Sequence, residues 1–202
     1  MTAPDDLSPE LDRLAADWVR ERVHQQVGSD AWYRAQDLAL NRPDDAWRLT
    51  LALMQRVELT PGPATLQDEG LHISVASIPN YILERYATAF VDRMEREAAR
   101  NPVFRDLLRW MSLADDVAPA PILQRLKAAS GGLLQIYPAP GSELGRVAYD
   151  VGDLFRSDKL PGVPAREPFP LPLLAREIER RCPGHTAEEY DIAAVKGLFW
   201  SR

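Results

Sequence analysis

The sequence predicts a mainly α-helical fold: an irregular bundle of short paired helices, α-solenoid-like in its first part, then a proline-rich, partly irregular C-terminal part with at most a short strand or two. Three observations lead there. Apolar residues recur at three- and four-residue spacing through most of the chain. Ser, Thr, Asn or Asp residues followed closely by Pro or Glu mark several helix starts. Ten of the 17 prolines lie beyond Met111, nine of them in "APAP", "YPAP" and "LPGVPAREPFPLP", where they prevent regular pairing. No repeat of fixed period is visible.

Ser8 and Pro9 open the first helix, with Leu11, Leu14, Ala15, Trp18 and Val19 at helical spacing. Val23 and Val27 extend the stripe, and Gly28 suits a left-handed cap. A second helix runs from Asp30, with Ala31, Ala35, Leu38 and Ala39 inward, to "NRPDD", where Pro43 breaks it. Residues 46–57, "AWRLTLALMQRV", form a third, with Trp47, Thr50, Leu51 and Met54 facing the core. The Leu49–Leu53 pair makes that helix apolar on a second side, so it is expected between neighbours. Residues 58–70, "ELTPGPATLQDEG", read as a loop. "LHISVASIP" alternates like a short strand but is expected to be a connector, followed by a helix from about Pro79 to Tyr86.

The next stretch is crowded with charge. Phe90, Val91, Met94 and Ala98 form a buried stripe, while Arg93, Arg96 and Arg100 share a face that alone would suit phosphates. Asp92, Glu95 and Glu97 are interleaved with them, so the segment has no net charge and reads as a solvated face with i,i+4 pairs at 92/96 and 93/97. Asn101 and Pro102 restart a helix whose apolar row is Phe104, Leu107, Leu108 and Met111. Further on, residues 121–129 predict a helix with Ile122, Leu123 and Leu126 inward, and residues 133–137 a short strand. "ELGRVAYDVGDLF" reads as a helix broken by glycine, and residues 156–170 as extended surface chain. "LPLLAREIERR" is a helix with Leu174 and Ile178 inward. Thr186 and Glu189 make a capping box for the last helix, whose buried side is read as Ile192, Val195, Leu198 and Phe199. Two regions follow: a helical domain over 1–112 and a proline-rich appendage over 113–202, expected to pack onto it as one globular unit.

"AWRLTLALMQRV" and "YILERYATAFVDRMEREAARNPVFRDLL" resemble a family of small bacterial helical domains of unknown function. The resemblance covers residues 30–112: a Trp-led helix, a leucine-rich helix, an Asp-Arg-x-Glu-x-Glu-Ala helix and an Asn-Pro-x-Phe-Arg restart. It implies a helical fold and no site residues. The family ends shortly after that restart, whereas this chain continues for another 90 residues.

With 46% hydrophobic and 27% charged residues, the 202-residue chain has an ordinary globular composition. Its formal charge of −6 opposes general binding of nucleic acid or anionic membranes and suits a basic partner. A single cysteine, Cys182, excludes an intrachain disulfide. No basic and apolar leader opens the sequence, and no run approaches the roughly 20 apolar residues of a membrane span, so a cytoplasmic location is expected.

Chemical motifs are sparse. Cys182 and His185 have C-x-x-H spacing, yet only His24 and His72 remain as further Cys or His ligands, so neither a metal nor a cofactor is expected. The carboxylate pairs Asp44–Asp45 and Glu188–Glu189 sit at helix starts, where the helix dipole accounts for them, and Asp115–Asp116 sits in a loop. No phosphate-loop, dinucleotide or serine-elbow motif occurs. Trp32, Tyr33, Trp110 and Trp200 lie at the edges of their stripes and become partner anchors wherever two are exposed together. The leading expectation is therefore a non-enzymatic protein-binding module, of immunity type, that neutralises a basic bacterial toxin. Asp68, Glu69, Asp150 and Asp153 would steer association, and Trp110 and Trp200 would anchor it. The alternatives are a small hydrolase or transferase with a spatially assembled site, and a scaffolding subunit.

Overall fold

The computed structural model describes residues 7–21, 28–59, 66–163 and 169–201, with residues 66–69 described by backbone alone. It is mainly α-helical, with one pair of short parallel strands among the described residues. The chain forms two compact units, Met1–Ser112 with Val117–Gln135, and Leu113–Asp116 with Ile136–Arg202. The chain thus leaves the first unit after Ser112, returns to it over 117–135, and then remains in the second.

The first unit contains α1 (Pro9–Arg20), α2 (Asp30–Asn41), α3 (Pro43–Arg56), α4 (Leu66–Arg100), α5 (Pro102–Arg109) and α6 (Ala120–Ala129). Ser8 Oγ accepts the Leu11 N–H at 3.3 Å, so the predicted cap forms, and Ser29 Oγ caps α2 in the same way by accepting the Trp32 N–H at 3.3 Å. The stripes of α1, α2 and α5 are buried as the spacing implies, except that Val19 is exposed. Val23 and Val27 lie outside the described residues. In α3, Leu49 and Leu53 are fully buried while Leu51 is only half-buried, so the second apolar side is the deeper one.

The largest departure from expectation is α4. Residues 66–78 are helix in place of the end of the expected loop and the connector, and they run on through the helix expected over 79–86, so that α4 extends from Leu66 to Arg100 with Pro79 inside it; residues 60–65 of the expected loop lie outside the described residues. An internal proline removes one backbone hydrogen bond and crowds the preceding turn, at about 3 kcal/mol. Burial offsets that cost: Val75, Ala76, Ile78, Ile82 and Leu83 are all 2% exposed or less. The helix bends instead at Tyr86 (φ −127°, ψ 24°). There the Tyr86 hydroxyl donates to the Leu40 carbonyl at 2.8 Å and Arg85 Nη1 to the same oxygen at 3.2 Å, satisfying a carbonyl in the last turn of α2.

The charged segment is also more structured than a solvated face. Arg93 reaches Asp44 on α3 at 2.6 Å, and Arg125 on α6 holds both Asp92 and Glu95 at 2.5 Å. Glu97 is only 5% exposed: it accepts from Arg100 and, at 3.0 Å, from Asn101 Nδ2. Asn101 Oδ1 in turn accepts the Val103 and Phe104 N–H groups, so one carboxylate braces the cap that restarts the chain as α5.

The strands β1 (Ser112–Ala114) and β2 (Gln135–Tyr137) pair with each other. The second unit is built on α7 (Glu143–Arg156), α8 (Leu171–Arg181) and α9 (Ala187–Trp200). α7 is unbroken. Its Gly152 and the Gly197 of α9 are points of backbone contact: a Cβ on Gly197 would lie 2.1 Å from the Ala148 carbonyl oxygen, and one on Gly152 would lie 2.4 Å from the Gly197 oxygen. That approach decides which side of α9 is buried. Tyr190, Ala193, Ala194, Gly197 and Leu198 face the core, while Val195 and Phe199, read as inward, are 48% and 58% exposed. α9 is apolar nearly all round, so spacing alone could not choose its face. Leu160, in the segment read as surface chain, is buried in the same core as Phe155 and Leu174. The capping box forms, with Glu189 Oε2 accepting the Thr186 N–H at 2.7 Å.

Two stability predictions follow from the second unit. Gly197→Ala forces a methyl into backbone and should cost about 2–3 kcal/mol in urea unfolding of the full chain; a loss below about 0.5 kcal/mol would show that the helices part easily. Glu177 is held down to about 2 by a hydrogen bond from Arg180, with burial opposing and Arg181 assisting. Because the folded value lies below the ordinary 4.5, this contribution is complete above that pH and is lost as pH falls toward 2. Glu177→Gln should remove about 1–2 kcal/mol at neutral pH and flatten stability across that acid range.

Candidate functional site

Three aromatic rings meet on one face of the first unit. Trp32 stands edge-to-face with Tyr33, centroids 5.0 Å apart, and with Tyr81 of α4 at 6.2 Å. Tyr33 is 57% exposed, and Trp32 and Tyr81 are half-buried. The start of α2 fixes the first two: Ser29 caps it, and Glu21 Oε2 accepts the Ala31 N–H at 2.9 Å. Gly28, at φ +93°, takes a backbone conformation that only glycine adopts without strain and leaves room beside the Tyr33 ring.

The rim of this face is acidic. Asp30 and Asp37 lie one helical turn to either side of Tyr33 and are exposed. On α4, Asn80, Tyr81 and Glu84 fall within one turn, between the internal proline and the bend. Glu84 receives only the Asn80 amide, at 3.5 Å, and no cation among the described residues pairs with it. Its carboxyl is raised above the ordinary range, partial burial being the larger cause and the Asn80 hydrogen bond opposing it, although part of the residue stays open to solvent. The Tyr81 hydroxyl is likewise raised, first by burial and then by the negative charge of Glu84. The buried oxygen of Asn80 has no donor. The arrangement offers ring surface, one uncompensated negative charge and one unused acceptor. That set suits binding rather than bond-breaking.

The residues singled out from sequence are distributed between the units. In the first, Trp110 is half-buried, with the His72 ring at 5.6 Å and Arg109 over it at 5.0 Å. Its indole N–H is buried without an acceptor. The side chains of Asp68 and Glu69 lie outside the described residues. In the second, Asp150 and Asp153 are exposed one turn apart on α7, and Trp200 ends α9 edge-on to Tyr137 at 5.8 Å. Of the anchors, Tyr33 alone is exposed, while Trp32, Trp110 and Trp200 are half-buried. Tyr81, Asn80 and Glu84 lie inside the helix expected over 79–86 but were not singled out, because only the pairing of that helix with α2 sets Tyr81 beside Trp32.

The chemical candidates have structural occupations. Cys182 is 4% exposed, and its thiol is pushed up by burial and then by the charge of Glu143, the opposite of an activated nucleophile. The Tyr190 hydroxyl donates to the Cys182 carbonyl at 2.9 Å and accepts the His185 backbone N–H at 3.0 Å, fastening the turn between α8 and α9. His185 Nδ1 lies 3.9 Å from Glu189 on the surface. His24 lies outside the described residues. Among the described residues, no group of three or more His, Cys, Asp or Glu is placed to hold a metal ion, and no helix is long and apolar enough to cross a membrane. An open cleft of about 460 Å³ lies between α4, α5 and α6, but its Arg125 and Glu95 are already paired with each other.

No family model, no curated protein and no solved structure matches the chain.

The thiol makes a direct check on this assignment. Cys182 in the native protein should react with iodoacetamide at pH 8 at least a hundredfold more slowly than in urea. Rapid native labelling would reopen the second unit to nucleophilic chemistry.

Proposed function

We propose that the chain is a protein-binding module without chemistry of its own, of immunity type, which neutralises a basic bacterial toxin by occupying it. The observation that carries this reading is the Trp32–Tyr33–Tyr81 array, an exposed ring between two half-buried ones, rimmed by Asp30, Asp37 and Glu84. Large rings bury much area at low entropic cost and anchor protein interfaces. Acids around them, with the overall charge of −6, accelerate encounter with a basic surface and disfavour acidic ones. A buried, pKa-raised cysteine and surface-bound histidine leave the second unit as support for binding rather than a reaction centre.

The test is affinity purification followed by calorimetry with the basic protein recovered. The double substitution Trp32→Ala with Tyr33→Ala should weaken binding at least tenfold, about 1.4 kcal/mol, with unchanged circular dichroism. Association should slow steeply between low and physiological salt. Unchanged affinity in the double variant, or turnover by the purified chain alone, would overturn the proposal.

A further inference from the structure

The first unit holds its own arginines in a recurring way. Arg93 lies over the Trp47 ring at 5.0 Å and the Phe90 ring at 5.5 Å, while Asp44 pairs with its guanidinium at 2.6 Å. Arg109 lies over Trp110 at 5.0 Å and pairs with Asp106 at 3.2 Å. In both, a ring face supplies quadrupole attraction and dispersion, and a carboxylate supplies directional hydrogen bonds. Trp32, Tyr81 and Glu84 repeat this set of groups, two rings and a carboxylate, and no arginine or lysine of the described chain stands over either ring or pairs with the acid. Elsewhere in the unit, carboxylates such as Asp12, Asp17, Asp92 and Glu95 are met by arginines.

We propose that Trp32, Tyr81 and Glu84 form a receptor for one arginine side chain of the partner protein, its guanidinium against the rings and hydrogen-bonded to the Glu84 carboxylate. This rests on the reading of that face as a protein-binding surface and names what the face binds. Arginine fits better than lysine for two reasons. A planar guanidinium lies flat on a ring as an ammonium does not, and its forked donors can serve two acceptors at once. The two oxygens of the Glu84 carboxylate match that fork. Glu84 is exposed and has no counter-charge among the described residues, so its carboxylate is open to an incoming cation.

The experiment uses the full chain and follows its five tryptophan indole N–H signals by NMR while N-acetyl-arginine methylamide is added. The Trp32 signal should move saturably, with the fully enclosed Trp18 and Trp47 signals as internal references. Glu84→Gln should weaken the effect at least tenfold, and the neutral isostere N-acetyl-citrulline methylamide should produce none. Choline serves as the small free cation. An effect of choline equal to or stronger than that of the arginine probe would overturn the guanidinium assignment, as would a Trp32 shift unchanged by Glu84→Gln or reproduced by citrulline. With the purified protein partner, loss of binding in the Trp32/Tyr33 double variant but full binding by Glu84→Gln would sink the arginine receptor and leave the interface reading standing. Full binding by both variants would remove the interface itself.

Discussion

The first unit depends on α4 remaining one helix through Pro79. α2, α3, α5 and α6 all pack against it. Local propensity favours a break at the proline, since the ring removes a donor and crowds the turn before it. Packing wins because the residues on both sides of Pro79 are almost wholly buried, and each enclosed Val, Ile or Leu is worth about 1.5–3 kcal/mol. The bend is displaced to Tyr86, where its cost is offset by two hydrogen bonds to the end of α2. The candidate site lies on the short segment between proline and bend, and owes its geometry to both.

Arginine does much of the joining between helices in this unit. Arg93 ties α4 to α3, Arg125 ties α6 to α4, Arg42 bonds Glu10 at 2.9 Å, and Arg56 meets Asp12. Each pair is largely exposed, and singly such bridges contribute little. Their effect is on register: a forked donor fixes how one helix slides past another. This explains how a segment with no net charge can be dense in charge without being a nucleic-acid surface. Its acids and bases are consumed internally.

How legible this was in sequence depended on whether a local signal had one structural meaning. Caps at Ser8, Asn101 and Thr186 could be read directly, because a side-chain oxygen placed before a helix has few other uses. The amphipathic stripes of α1, α2 and α5 were legible for the same reason. Pro79 was not, since proline marks a helix start in most contexts and only long-range burial reverses that. Nor was the inner face of α9, where alanines and glycine allow a backbone contact that larger apolar residues on the other side would prevent. Trp32 and Tyr33 were visible as stripe-edge aromatics. Glu84 was not, because its distinction lies in lacking the arginine that its neighbours have, a property of three-dimensional pairing alone.

That lack bears on how the two units differ. In the second unit the close contact of α7 with α9, the arginine pair on Glu177 and the Tyr190 clasp on the Cys182 turn leave polar groups matched and backbones in contact. Such an arrangement resists rearrangement and serves as a rigid body. In the first unit, one stretch of six residues combines a proline inside a helix, an orphaned amide oxygen and a raised carboxyl beside the ring array. Each is unfavourable for folding alone, and a chain optimised only for stability would replace Glu84 with a residue indifferent to burial or supply it with a cation. Local violations of folding rules that cluster at one solvent-facing point are most simply explained by a bound state in which they are satisfied. A partner's cation on Glu84 would remove the uncompensated charge and share the ring faces. The same groups that weaken the free protein would then strengthen the complex.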